Sequence, residues 1–339
     1  MAVQGSRSIP AAGSDDSRVA VPAVSVIICA YTDERWDAIL AAVESVRRQT
    51  RPAHSILLVV DHNPGLFERL RAALPDVHVV QNAQQRGLSG ARNTGIGAAT
   101  GDVIAFLDDD AAADEDWLER LGAGYADPRV IGVGGAPLPR WLAGRPRWFP
   151  DEFGWVVGCA YRGLPDRAAP VRNFIGANMS FRREVFEVIG GFASGVGRVG
   201  ANTVSCEDTE LCIRVAQTWP DRVLLYEPAA MVRHLVPASR GTWRYFARRC
   251  FGEGKDKATV AAMVGARDGL ASEWRHTLVT LPRGAARGVL DALGGDVSGL
   301  GRMGAICGGL GLATAGYVLA RARRVLNPPV DGGAPPESV

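Results

Sequence analysis

The stretch that decides the fold is Val103-Ile104-Ala105-Phe106-Leu107-Asp108-Asp109-Asp110, an apolar run that ends in three aspartates. A continuous apolar segment of strand length, without polar alternation, suits a strand buried on both faces, as in a parallel sheet. Three adjacent carboxylates repel one another and make ionisation costly. A divalent cation removes that cost, and Mg2+ and Mn2+ both favour carboxylate oxygens and bridge to substrate phosphates. The plainer reading is an acidic turn capping the next helix, although Asp114 to Asp116 already supply that role. On the residues alone the two readings stand level.

Upstream, the run Val24–Ala30 has the same unalternating character. Trp36, Ile39, Leu40, Val43 and Val46 follow at helical spacing, with Asp33 read as the N-cap. The unit then repeats: a strand at Ile56–Val60 ending at Asp61, a helix at Leu66–Leu74, a short strand at Val77–Val80, and a glycine-containing helix at Ser89–Ala99. The helix after the aspartates is read over Asp114–Tyr125. Alternating strands and helices predict an α/β fold, a doubly wound and mostly parallel sheet flanked by helices. Such sheets bind ligands outside the carboxyl ends of their strands, where Asp61 and Asp108–Asp110 fall.

Downstream, residues 132–170 lose periodicity, are rich in Gly, Pro and Trp, and read as a long loop. Regular structure returns at Arg182–Ile189, in a helix after Glu207, and in a strand at Val223–Tyr226. Residues 240–263 read as a basic helix. Met303–Ala320 carries no charge and is flanked by Arg302 and by Arg321, Arg323 and Arg324. Its length is at the lower limit for a span, so it fits a membrane or interfacial helix and a soluble packing helix equally well. Residues 1–21 and 328–339 read as disordered.

The charge of +2 over 339 residues argues against a dedicated nucleic-acid binder. It hides an asymmetry: residues 1–230 are net −5 and residues 231–330 net +9. A basic C-terminal region joined to an acidic body suggests an anionic ligand or surface for that part. The six cysteines show no zinc-type spacing and fit a reducing cytoplasm. No secretory signal pattern is read at the N-terminus.

Just before the triple aspartate, Gln81-Asn82-Ala83-Gln84-Gln85-Arg86-Gly87-Leu88-Ser89-Gly90-Ala91-Arg92-Asn93-Thr94-Gly95 combines small residues, two arginines and a helix start, all favourable to anions. Taken with Val24–Tyr31 and Thr32-Asp33-Glu34, Val59-Val60-Asp61 and Phe106–Asp110, this ordered set resembles glycosyltransferase family 2. Gly176-Ala177-Asn178-Met179-Ser180-Phe181-Arg182-Arg183 and Glu207-Asp208-Thr209-Glu210-Leu211 resemble that family's acceptor-side segments. The resemblance spans about residues 24–255. It implies a GT-A fold, Rossmann-like in its sheet, a nucleotide-diphosphate sugar donor, inverting transfer and a divalent cation, Mn2+ or Mg2+.

Carried over by position, the resemblance places Ala30, Tyr31, Asp33 and Asp61 at the nucleotide, with Arg86 and Arg92 beside it or bracing its loop. The chain has Asp61-His62 where the family often has two acids, so the base is left open. Asp108 and Asp110 match the two acids of the DxD motif: Asp110 as direct metal ligand, Asp108 toward the ribose or metal-bound water, and Asp109 counted with the donor site. Asp208 matches the general base, with Glu207 orienting it or meeting the acceptor. Gly176, Ala177 and Asn178 fall on the acceptor side. His234 matches a histidine that in several relatives meets metal or diphosphate, although a lone histidine is more often structural.

Outside the motifs, Arg240, Arg248 and Arg249, with Arg244, Lys255 and Lys257, form a basic segment. It suits a donor diphosphate, an anionic membrane or lipid-phosphate acceptor, or a solvated helix face. Trp141, Trp148 and Trp155 either line an acceptor cleft or pack beneath the loop; Trp155 is counted with the acceptor side. The expected organisation is a catalytic domain over residues 22–235 and a basic helical extension over 236–327 that docks on the inner face of the cell membrane. The expected acceptor is a glycan, glycolipid or polyprenyl-linked hydroxyl. A sugar nucleotidyltransferase is the competing enzyme class, but Ala30-Tyr31-Thr32-Asp33 lacks the Gly-rich, Lys-containing phosphate loop usual there. A degenerate sugar-nucleotide-binding protein is the non-enzymatic alternative.

Overall fold

The structure is a computed structural model that describes residues 22–193, 206–265 and 276–326. The segments read as a disordered lead-in and tail lie outside the described residues.

The first half follows the alternation. Strands β1 (Val24–Ala30), β2 (Ser55–Val60), β3 (His78–Gln81) and β4 (Val103–Asp108) pair in parallel in the order β3-β2-β1-β4. Helices α1 (Trp36–Arg47), α2 (Pro64–Ala73) and α3 (Leu88–Ala98) make the crossovers. α1 begins after a short 3-10 turn, Asp33–Arg35, and the Thr32 hydroxyl rather than Asp33 caps it, accepting from the Glu34 N–H. Val26, Ile28, Leu58 and Val103 pack on one sheet face and Ile27, Leu57, Ile104 and Phe106 on the other. Burial on both faces explains the unalternating apolar runs.

Beyond β4 the sheet is mixed. β5 (Ala111–Ala113), α4 (Trp117–Gly124), β6 (Val130–Trp141), β7 (Ala169–Pro170), β8 (Asn178–Arg182), α5 (Arg183–Ile189), α6 (Glu207–Thr218) and β9 (Val223–Val236) complete it. The order runs on as β4-β8-β6-β9-β5, with β7 paired to β9. β8 runs antiparallel to both neighbours, and β6 runs parallel to β9.

Two expectations are corrected here. The start of the supposed loop at residue 132 is strand β6, and β9 continues ten residues past Tyr226 to Val236. The glycines that disguise β6 are there for close approach. A Cβ on Gly134 would stand 2.2 Å from the Phe174 ring, and one on Gly135 would stand 2.0 Å from the Ala230 carbonyl oxygen.

The C-terminal region is helical, as expected: α7 (Trp243–Val264), α8 (Leu281–Leu293) and α9 (Ser298–Leu326). α7 and α8 pack on α9 through glycines, Gly254 and Gly316 at the first contact and Gly288 and Gly299 at the second. This unit has its own core of Phe149, Phe153, Cys159, Phe246, Cys250, Leu281 and Ile306. Trp141 and Trp148 pack against it, edge-on to Phe149 and Phe246 respectively. α9 is long and apolar enough to cross a membrane, and 22% of its apolar window is buried. All six cysteines are free thiols.

Candidate active site

The cleft lies at the carboxyl ends of β1, β2 and β4, where the sheet changes from parallel to mixed. β4 delivers Asp108 at its last position, and β5 pairs antiparallel with β9, setting Ala111 opposite His234. That register brings Asp108, Asp110 and His234 together, one donor atom from each lying within 4.8 Å of the others. His234 Nε2 lies 3.2 Å from Asp110 Oδ1. Arg35 Nη1 and Arg240 Nη2 approach Asp110 Oδ2 at 3.1 and 3.5 Å.

Burial alone would raise the Asp110 pKa, but His234, Arg35 and Arg240 outweigh it and hold the carboxyl well below its ordinary range. Burial likewise pulls His234 down, and the Asp110 carboxylate overrides it and lifts the imidazole to about 10. Two carboxylates and an imidazole so closely spaced fit a divalent metal that accepts oxygen and nitrogen donors, which would replace the proton His234 shares with Asp110. Cys159 Sγ, 3.8 Å from His234 Nδ1, fixes the far side of the ring.

The opposite wall is the start of α6. Asp208 Oδ2 accepts from the Gly176 N–H at 2.8 Å and Oδ1 from the Thr209 N–H at 2.6 Å. Its enclosure by protein, then the neighbouring Glu207 carboxylate, push its pKa up to about 7. A Cβ on Gly176 would stand 3.2 Å from Asp208 Oδ2 and 3.1 Å from Arg92 Nη2, so a glycine there lets backbone touch both groups.

Arg92 ties the two walls together. Its guanidinium is 2% exposed and donates to Glu207 Oε1 at 3.0 Å, to the Gly176 carbonyl at 3.0 Å and to Asp108 Oδ1 at 3.4 Å. Phe106 and Phe192 lie against it, with ring centroids 5.8 and 5.1 Å from Cζ. A planar fork with several fixed donors is what such a bridge needs.

Asp61 organises the third side. It accepts from Asn82 Nδ2 at 2.7 Å, from the Gly87 N–H at 3.0 Å and from His62 Nδ1 at 2.9 Å. Gly87 has φ of 126°, a conformation that favours glycine. Asn63 Nδ2 links Asp33 to the Tyr31 carbonyl. Ala30 is buried, Tyr31 is 49% exposed, and Arg86 is exposed.

The cleft encloses about 210 Å3 and is lined by Arg92, Asp108, Gly176, Ala177, Glu207, Asp208, His234, Trp155, Arg240 and Arg249, among others. Ala30, Tyr31, Asp33, Asp61, Arg86, Asp109, Asp110, Asn178 and Arg248 do not line this cavity. Asn178 is fully buried, donating to the Ala230 carbonyl and accepting from Trp117 Nε1, because strand alternation turns it into the sheet. Asp109 points away from the cleft into a 2.5 Å contact with Arg35, and burial raises its pKa to about 7. Arg248 is exposed on α7 and lies over Tyr245.

The sequence reading missed Arg35, whose only signal was its place one turn after β1. Lys257, one of two lysines in the chain and counted with the basic segment, lines the cleft beside Glu253.

Comparison with known proteins follows the same lines. The family model described as "Glycosyl transferase family 2" matches residues 25–190. The chain is 38% identical over 241 residues to the glucosyl-dolichyl phosphate glucuronosyltransferase of Haloferax volcanii, covering 70% of this chain and 77% of that protein. It is 25% identical to the succinoglycan biosynthesis protein ExoM of Rhizobium meliloti, covering 75% and 80%. Among solved structures, a mannosyltransferase from Pyrobaculum calidifontis, determined with GDP-Man and Mn2+, is similar in fold, with a TM-score of 0.57 at 20% identity over 90% of this chain and 87% of that one.

Proposed function

On the footing that the chain belongs to glycosyl transferase family 2, we propose that it moves a sugar, with inversion, from a nucleoside-diphosphate donor to a hydroxyl of a glycan or lipid-linked acceptor. The observation that carries the reading is one cleft lined by Asp108 and His234, which cluster with Asp110, and by Asp208, with Arg92 bridging Asp108 to Glu207.

Asp110, Asp108 and His234 hold a divalent cation, Mn2+ or Mg2+, which when bound neutralises charge on the departing diphosphate. Tyr31 and Asp61 receive the nucleotide, with Asp33 and Arg86 at its rim. Arg92 orients Asp108, and it fixes Glu207 next to the base. Asp208 accepts the acceptor hydroxyl proton as that oxygen bonds to the anomeric carbon and the bond to the diphosphate oxygen breaks. A base with a pKa of about 7 is suited to this transfer near neutral pH. Catalysis is assigned to residues 22–235. The helices after them, with the exposed apolar face of α9 and its terminal arginines, form a flank for the inner face of a cell membrane.

The test is a panel of nucleoside-diphosphate sugars with Mn2+ or Mg2+, scored for diphosphate release and for metal-dependent donor binding. Release and binding with one donor class are expected. Neither with any donor sinks the reading.

A further inference from the structure

The turn between β2 and α2 is Asp61-His62-Asn63, and its two outer side chains are engaged inside the protein. Asp61 accepts from Asn82, from the Gly87 N–H and from His62, which fills three of the roughly four acceptor positions of a carboxylate. Asn63 caps α2 by accepting from the Leu66 N–H, and it donates to the Tyr31 carbonyl and to Asp33. His62, between them, differs. Its backbone has φ of 49°, and it is the one non-glycine residue with positive φ among the described residues. Left-handed backbone in a residue with a side chain is local strain, and such strain gathers at sites that hold ligands.

The His62 side chain is 42% exposed. Its Nδ1 lies 2.9 Å from Asp61 Oδ1 and donates to it. In the neutral ring that leaves Nε2 as a hydrogen-bond acceptor. Nε2 has no partner among the described residues. Asp61 therefore fixes the tautomer and the direction of the ring, and the imidazole offers an acceptor at the carboxyl end of β2, on the turn that holds the Tyr31 carbonyl.

We infer that His62, positioned by Asp61, reads the nucleotide base, its Nε2 accepting from a ring N–H on the pairing edge of that base. The inference rests on the glycosyltransferase reading above, in which Tyr31 and Asp61 receive the nucleotide; Asp61 then meets the base through His62. The base is of the uracil or guanine type. Adenine and cytosine carry an unprotonated ring nitrogen at that position, which would meet Nε2 lone pair to lone pair, and a site rejects such a partner by the repulsion.

The experiment measures calorimetric binding of UDP, GDP, ADP and CDP to the full chain with Mn2+, together with 3-methyl-UDP, 1-methyl-GDP and the 2′-deoxy forms. UDP or GDP is expected to bind best, and methylation of its ring nitrogen to weaken binding at least about tenfold, the fold-change that a lost hydrogen bond with an unpaired partner is worth. Glycine takes positive φ without strain, so His62→Gly keeps the turn and removes only the ring. In that variant the affinity of the parent diphosphate should fall about tenfold, and the methyl penalty should come close to one. His62→Asn, which also accepts this backbone, carries the test if the glycine variant does not fold. A methyl penalty that persists while all diphosphates weaken alike overturns the inference, because a merely structural turn has that effect. A variant that loses discrimination against the 2′-deoxy form while the methyl penalty stays also overturns it, since the ring then meets the ribose. So does ADP or CDP binding more tightly than both UDP and GDP. Each of those outcomes leaves the enzyme reading intact. Absence of Mn2+-dependent binding for every diphosphate sinks the enzyme reading itself.

Discussion

Two aspartates, Asp110 beside the cleft-lining His234 and Asp208 in the cleft wall, have surroundings that push them in opposite directions. Asp110 has an imidazole and two guanidiniums around it and stays ionised far below the usual carboxylate range. Asp208 is buried beside Glu207, and the Arg92 charge that opposes them does not outweigh them; its pKa rises to about 7. The same side chain is therefore a permanent anion on one wall and a proton acceptor on the other. What separates the roles is where the cations sit, and groups whose environments drive their pKa values apart divide acid, base and ligand work in this way.

The sharpest way to break this contrast is to neutralise one wall at a time. Asp208→Asn should lower transfer by about 10^3-fold or more, within the range of lost general-base catalysis, while calorimetric donor binding persists. Transfer near the wild-type rate would remove Asp208 from the mechanism. Asp110→Asn should also lower transfer, by about 10^2- to 10^3-fold, and should abolish metal-dependent donor binding as well. Metal titration followed by donor binding separates the two variants, and binding that survives in Asp110→Asn would unseat it as a ligand.

Arg92→Lys tests the bridge. A single ammonium cannot serve Glu207, Gly176 and Asp108 together, so transfer should fall roughly ten- to a hundredfold. Thermal unfolding should show a loss of about 3 kcal/mol, as expected when a buried ion pair is broken. Unchanged stability and rate would show the bridge to be idle.

The pH dependence is a milder probe. As the proposed base, Asp208 would work only when deprotonated, and its pKa is raised, so kcat/KM should climb about tenfold per unit below pH 7 and level off above it. A profile already flat from pH 5 would contradict the raised pKa. The smallest effect belongs to Arg248→Ala on the exposed face of α7, which should change stability by less than about 0.5 kcal/mol in chemical denaturation.

Legibility in the sequence followed local physics. The parallel half could be read because strands buried on both faces have no choice but to be apolar throughout, and each ends where a turn exposes polar groups. β6 and most of β9 could not, because Gly134 and Gly135 serve neighbours, Phe174 and Ala230, that are remote in the chain. The motif residues Asp108, Asp110, Asp208 and His234 could be marked by resemblance, and the structure gathers all four around one cleft. Asn178 and Asp109 were marked by the same motifs and are held elsewhere, Asn178 by strand alternation and Asp109, in the turn after β4, by Arg35.

The sequence by itself determined the alternating elements, the carboxylates at the strand ends and the change of charge from body to C-terminal helices. Those are properties of short windows, set by burial, helix periodicity and composition. Only the tertiary structure decided that His234 lies beside Asp110, that Arg92 spans from Asp108 to Glu207, and that Arg35 takes Asp109 out of the cleft. Each of these depends on sheet register and on strand and helix ends meeting across 16 to 124 positions of chain, where no local preference reaches and packing alone selects the partner.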